Sequence, residues 1–390
     1  MPPTYPTIPE RRLMGPGPLN MHPRVLSALG LPVLSHLDPA YLQAMDEIAT
    51  RLRGVFGTKN VVTHATPGTG TSGMEACISN LLEPGDRIVV CVQGYFGDRL
   101  RQMAERQEAD IRVIEGEWGK AADPAEVEAA LKEADTKVLG LVHAETSTGV
   151  LQPMDDIARL AKEHGAMILT DMVTSLGGVE VKVDEWGIDA AYSCSQKCVG
   201  SPSGLAPVTF SQRAIDSVER RKHKVRSWYL DVELLSKYWE ATRVYHHTSS
   251  SSLNFALLEA LRLIDEEGLS ERIARHRKNH LALVAGVEAM GLEMHVAPDI
   301  RLPTLNTIRI PEGVDDAAAR GYLLERFSLE IGGGLGALKG KVWRVGLMGY
   351  SSSAENVMFF LSAITAALNA QGKQVDLTSG LAAAMSSLDG

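Results

Sequence analysis

Short apolar runs alternate with amphipathic stretches along most of this chain, and that alternation limits the fold more than any other feature. Arg87–Val92 and Lys137–Val142 are apolar runs of the kind found in strands buried on both faces. Pro153–His164 carries Ile157, Leu160 and Ala161 at helical spacing and stops at Gly165. Strand–helix–strand repetition of this kind calls for βαβ units and a mostly parallel sheet, an α/β fold. Leu253, Ala256, Leu257, Ala260, Leu261 and Ile264 form one apolar stripe ended by Gly268, a long helix suited to join two domains. Another helix is expected from Glu355 to about Ala370. The predicted organisation is an extended arm over residues 1–20, a large domain over 21–258, a smaller α+β domain over 259–372, and a polar tail over 373–390 that should fray.

The chain has 390 residues, 45% hydrophobic and 22% charged, enough for a sizeable core split between two domains. A net charge of −9 lends no support to a nucleic-acid or anionic-membrane partner. Met1–Pro6 lacks the apolar stretch of a signal peptide, and no apolar run is long enough to span a bilayer. The four cysteines, Cys77, Cys91, Cys194 and Cys198, show no zinc-type pairing. A reducing, cytoplasmic compartment is expected.

Asp171 closes the apolar run from Ala166, and Lys197 closes the next strand-like run, Ala190–Gln196. A carboxylate and an amine at the ends of successive buried strands can face one crevice, where α/β sheets bind ligands. A lysine amine can form a Schiff base, and an aspartate can hold the protonated pyridine nitrogen of pyridoxal phosphate. Taken alone, the pair is more simply an ion pair or two solvated charges.

Gly68-Thr69-Gly70-Thr71-Ser72-Gly73 follows a strand expected over Asn60–Ala65 and precedes a helix expected over Met74–Leu82. Its G-x-G-x-x-G spelling invites a dinucleotide reading. That fingerprint needs an acid at the end of the following strand, and Gln93-Gly94-Tyr95-Phe96 offers none. Three hydroxyls at a helix N-terminus suit a phosphate monoester better, and an unliganded glycine turn is an equal alternative. Phe96, or alternatively Tyr95, can stack on a flat ring. The Thr146–Thr148 hydroxyls can bond a cofactor or substrate oxygen, or simply cap a turn. Tyr245-His246-His247-Thr248 looks like a metal site, but adjacent residues in extended chain point apart, so a structural histidine pair fits better. Arg344, set among apolar residues, needs an anionic partner: a substrate α-carboxylate or a protein carboxylate.

With these segments in order, the chain resembles the class V, fold-type I pyridoxal-phosphate aminotransferases, most of all those of the alanine–glyoxylate and serine–pyruvate kind. The resemblance rests on Gly15–Pro18, Leu82–Asp86, Ser147–Pro153, Ser175–Gly178, Ser195–Lys197, Tyr245–Thr248 and Lys341–Leu347. It implies that Lys197 carries the cofactor as a Schiff base and Asp171 pairs the pyridine nitrogen. Val173 and Phe96 would pack on opposite ring faces. Many relatives have Trp where Phe96 stands, which implies weaker stacking here. Thr69, Gly70, Thr71 and Gln196 would bind the phosphate, with Thr71 in place of a His of animal relatives. Thr146 stands where Ser is frequent. Tyr245 and Thr248 would reach the phosphate of a neighbouring subunit, making a homodimer the catalytic unit. Arg344 and the backbone near Gly17 would hold the substrate carboxylate. The implied reaction is ping-pong transamination between a small amino acid, alanine or serine, and a small 2-oxo acid, glyoxylate or pyruvate.

Rivals are weaker. A cysteine desulfurase needs a loop cysteine, and none follows Cys198. Pyridoxamine–pyruvate aminotransferases lack the phosphate-type loop seen at Gly68–Gly73. Ureidoglycine–glyoxylate aminotransferases are closer, but tend to carry Asn where Tyr245 stands. A nicotinamide-dependent oxidoreductase is disfavoured by the missing ribose-binding acid.

Overall fold

The structure, a computed structural model, describes residues 8–389; the first seven residues of the expected arm and Gly390 lie outside it. The main sheet has seven strands: β1 (Val62–Pro67), β2 (Arg87–Val92), β3 (Asp110–Glu115), β4 (Val138–Val142), β5 (Met167–Asp171), β6 (Ala190–Tyr192) and β7 (Leu205–Phe210). Their spatial order is β1-β7-β6-β5-β4-β2-β3, and only β7 runs against its neighbours. This is the mostly parallel α/β sheet that the apolar runs called for. A second, antiparallel sheet is built from β8 (Leu305–Arg309), β9 (Gly332–Gly333) and β10 (Val342–Gly346).

The helices that matter below are α1 (Pro39–Phe56), α2 (Gly70–Leu81), α3 (Tyr95–Arg106), α4 (Asp155–Glu163), α5 (Ser251–Glu267), α6 (Leu269–Ala289), α7 (Ala354–Asn369) and α8 (Leu377–Asp389). α1, α4 and α5 cover one face of the main sheet, and α2 and α3 cover the other. Strands buried from both sides need apolar residues at every position, which is why β2, β4 and β5 read as continuous runs rather than alternating ones. From β2 the chain passes outward to β3, whereas from β4 it passes the other way to β5 and β6. The sheet thus changes winding direction between β2 and β4, and a crevice opens there beyond the strand C-termini.

Two expectations need correction. The boundary expected at residue 258 falls inside α5, whose Ala260, Leu261 and Ile264 still pack in the large core; the chain breaks at Gly268 instead. The tail expected to fray contains α8, packed on α6 with Ala384 fully buried. Its small residues allow this: Gly380 lies so near Gly286 of α6 that a Cβ on Gly286 would sit 3.1 Å from the Gly380 carbonyl oxygen. The described part of the arm is tied down too, since Arg12–Leu13 pairs with Leu329–Glu330. No helix among the described residues is long and apolar enough to cross a membrane.

Candidate active site

A cavity of about 260 Å³ lies at the winding switch. Each strand that ends there delivers one part of it. β1 leads into α2, which begins at Gly70, four residues before the expected Met74, so Gly70 and Thr71 stand in the helix's first turn. The first amides of a helix have no partner inside it. No side chain caps α2; the amides of Ser72 and Gly73 donate to the Thr69 carbonyl, while those of Gly70 and Thr71 have no hydrogen-bond partner among the described residues, and Thr69, Gly70 and Thr71 all line the cavity. β2 leads into α3, whose second residue, Phe96, lines the cavity; Tyr95 is exposed and does not. β4 leads into a tight hairpin, Ala144–Glu145 paired with Val150–Leu151, and Thr146 sits in its turn.

Asp171 ends β5 and is buried. Its Oδ1 accepts from the Val173 amide at 2.8 Å and its Oδ2 from the Tyr192 hydroxyl at 2.7 Å. Burial pushes this carboxyl up to about 6, against the pull of those two hydrogen bonds. A carboxylate so placed is stabilised by a cation at its side. Lys197 is not at the end of a strand, as expected, but in a turn. β6 stops at Tyr192, while the amides of Ser193 and Ser195 still donate to β7. The Lys197 amine is buried and donates to Thr146 Oγ1 at 2.8 Å and Thr174 Oγ1 at 2.9 Å. Burial lowers its proton affinity, which favours a neutral, nucleophilic amine. The amine lies 5.7 Å from the centroid of the Phe96 ring.

Arg344, in β10, crosses from the small sheet into the same cavity. Its Nε donates to Gly333 O at 2.8 Å and one Nη to Thr146 O at 3.1 Å. No carboxylate pairs with it among the described residues, so the protein-carboxylate alternative is absent there and part of the fork is left for a ligand. Desolvation holds this guanidinium down to about 10. Gly17 closes the cavity over Lys197: a Cβ there would meet Lys197 Cγ at 3.1 Å, and its φ of +103° suits glycine.

The structure therefore gathers Gly17, Thr69, Gly70, Thr71, Phe96, Thr146, Asp171, Val173, Gln196, Lys197 and Arg344 around one cavity. Tyr245 and Thr248 are not among the residues lining it; both are exposed. His246 and His247 face each other, Nδ1 to Nδ1 at 2.8 Å, contrary to the expectation that neighbouring side chains diverge. His246 stacks on Trp228, so the pair serves packing.

Several residues escaped the sequence reading. Tyr192 bonds Asp171 across the β5–β6 register, which pairs these two residues directly. Thr174 touches Lys197 from a turn that has no sequence period. Arg99 lies 4.8 Å over the Phe96 ring and donates to Thr71 Oγ1 at 3.1 Å; the i,i+3 spacing from Phe96 was the available signal. Glu145 is buried and accepts from the amides of Phe96, Gly97 and Ser147 and from the Ser147 hydroxyl. It clamps the start of α3 to the Thr146 hairpin. The fit is close enough that a Cβ on Gly94 would lie 2.5 Å from Glu145 Cγ.

A buried lysine opposite a buried aspartate, with an uncapped helix start nearby, is the layout of a pyridoxal-phosphate site. Comparison with known proteins decides the family: the class-V aminotransferase profile matches residues 27–355. The chain belongs to the class-V aminotransferases. It is 39% identical to an alanine–glyoxylate aminotransferase of Drosophila melanogaster, over 95% of this chain and 96% of that one. It is 38% identical to the (S)-ureidoglycine–glyoxylate transaminase of Bacillus subtilis (strain 168), over 97% and 95%. The crystal structure of an alanine–glyoxylate aminotransferase from Nostoc sp. superposes with a TM-score of 0.92 at 50% identity, covering 94% of this chain and 97% of that one.

Pyridoxal 5'-phosphate is the cofactor of this family, and the chain is an enzyme of it. The cavity fits the group on its own terms. The start of α2 offers the Gly70 and Thr71 amides to a phosphate, and Gln196 lines the same cavity. Asp171, raised by burial, awaits a ring N–H.

Proposed function

We propose that this class-V aminotransferase moves an amino group from a small amino acid, alanine or serine, to a small 2-oxo acid, glyoxylate or pyruvate. The single observation that carries the reading is Arg344, a buried guanidinium facing Lys197's cavity without an acidic partner. Both substrates share an α-carboxylate and little else, and of the two guanidinium groups lining this cavity of about 260 Å³, Arg344 is the buried one, while Arg99 is half-buried and bonded to Thr71. Relatives named for alanine and glyoxylate over nearly their whole length support the same choice.

Lys197 would hold the cofactor at rest, Asp171 would keep its ring nitrogen protonated, Val173 and Phe96 would pack against the ring, and Thr69, Gly70, Thr71 and Gln196 would hold the phosphate. Bound pyridoxal phosphate supplies an electron sink that lets the bond between the α-carbon and its hydrogen break. Arg344 and the backbone near Gly17 fix the donor's carboxylate. Thr146 fixes the oxygen edge of the site. Released from the cofactor when the donor amine takes its place, Lys197 Nζ would take the proton from the donor's α-carbon and, in the second half-reaction, would deliver one to the α-carbon of the new amino acid; burial favours the neutral form that this base needs. Burial around Lys197 excludes water from that transfer.

The reading includes a homodimer in which Tyr245 and Thr248 bind the phosphate in the neighbouring protomer. Both are exposed here, and so are the apolar side chains of Trp228, Tyr229 and Val244. The four cysteines are free and buried, which fits a reducing, cytoplasmic compartment.

A donor–acceptor panel with purified enzyme tests the substrate choice. Alanine or serine with glyoxylate or pyruvate should give the fastest turnover. Faster turnover with (S)-ureidoglycine as donor would replace this reading with that of the Bacillus subtilis relative.

A further inference from the structure

We propose that Thr174 is a positioning residue for Lys197: with Thr146, its hydroxyl holds the side-chain amine whenever that amine is not bonded to the cofactor. The inference rests on the assignment of Lys197 above. Three atoms form a closed triangle. Lys197 Nζ lies 2.8 Å from Thr146 Oγ1 and 2.9 Å from Thr174 Oγ1, and the two hydroxyls also bond to each other. Charged or neutral, the amine has at least two protons to give, so it donates to both oxygens. One hydroxyl then donates to the other, and a single hydroxyl proton is left over. Thr146 lines the cavity and Thr174 does not. The free proton is therefore Thr146's, aimed at a ligand oxygen, while Thr174 is committed to the amine and to Thr146.

The backbone of Thr174 does not depend on this hydroxyl. Its carbonyl accepts from Thr304 Oγ1 at 3.0 Å and from the Cys198 thiol at 3.4 Å, so the residue is pinned from two other elements. The residue is fully buried, so no water can replace the lost bond without a new void. Without Thr174, the amine keeps one partner and gains freedom to leave the line of proton transfer. A 1 Å misplacement of a reacting group is enough to slow a step. The titratable groups around the amine are Cys194, Asp171, Cys198 and Glu145; each raises its proton affinity, against the stronger lowering by burial.

The test uses Thr174→Val, which keeps the shape without the hydroxyl, and Thr174→Ser, which restores it. The first readout is taken on full-length protein stripped of cofactor. Competitive labelling with acetic anhydride across pH, read by mass spectrometry of the Lys197 peptide, gives the pH at which the amine becomes reactive. Losing an acceptor weakens the charged form more than the neutral one, so the midpoint in the Val variant should fall by about one pH unit, and Ser should bring it back. In the loaded enzyme, kcat should drop roughly 5- to 10-fold with the donor KM within about twofold. The isotope effect with α-deuterated alanine should rise, because proton transfer by Lys197 becomes more limiting. A Val variant with wild-type labelling midpoint and isotope effect overturns the proposal. If Val fails to fold, Thr174→Ala carries the same readouts. Cofactor trapped on a different lysine would instead sink the Lys197 assignment, while the cofactor-free labelling still judges Thr174 separately.

Discussion

The two ends of the cavity are built differently. At the closed end, Lys197, Asp171, Thr146 and Arg344 are buried and hydrogen-bonded within this chain. At the open end, Thr69 and Thr71 are exposed; away from the cavity, the exposed hydroxyls of Tyr245 and Thr248 have only each other, at 3.5 Å. On the proposed reading, the closed end carries the chemistry within one protomer, and the open end would grip the cofactor phosphate with the help of a second copy. The difference suggests that catalytic geometry is fixed by the fold, and cofactor retention by assembly.

The largest effect should come from the closed end. Lys197→Ala should cut turnover by more than about 10³-fold in a steady-state assay, because base and cofactor link vanish together. Near-normal activity would break the comparison at its root. Arg344→Ala should lower kcat/KM for both carboxylate substrates by roughly 10- to 100-fold through KM, the scale of one or two charge-assisted hydrogen bonds. Unchanged Michaelis constants would remove Arg344 from the site. At the open end, Tyr245→Phe should leave kcat at saturating cofactor nearly intact and weaken cofactor binding by about 5- to 10-fold, read by absorbance titration. A large kcat loss there would erase the distinction between the ends.

A smaller effect concerns pH. His143 sits behind the closed end, its amide bonded to the Asp171 carbonyl, and burial holds its ring down to about 4, below the ordinary histidine value near 6.5. The unfolded chain therefore takes up a proton that the folded one refuses. Stability from this group is intact above pH 6.5 and is lost as pH falls toward 4. Between pH 7 and 6 the loss should be at most about 1 kcal/mol. Urea titrations should show it for the parent protein, and less of it for His143→Phe.

Much of this is legible in the sequence alone. β2, β4 and β5 were readable because burial on both faces forces unbroken apolar runs. Asp171 stands out because it ends such a run, and Lys197 because the strand-like stretch Ala190–Gln196 precedes it, although the strand itself stops at Tyr192. Thr174 and Glu145 do not stand out. Thr174 acts from a turn, where no periodicity marks which side chain turns inward. Glu145 is a buried cap with no local signal, because donors to it come from residues 96 and 97, far along the chain. Helix α8 was missed for a related reason: small residues that seemed too weak to anchor a helix instead let it approach α6 closely. The start of α2 was set too late, and that error concealed how Gly70 and Thr71 present their amides.

The account stands or falls on which nitrogen carries the cofactor. Borohydride reduction of freshly purified, pyridoxal-phosphate-saturated enzyme, followed by peptide mass spectrometry, reads this directly. The expected result is a phosphopyridoxyl group on the peptide containing Lys197. An unmodified Lys197 peptide under the same conditions would contradict it.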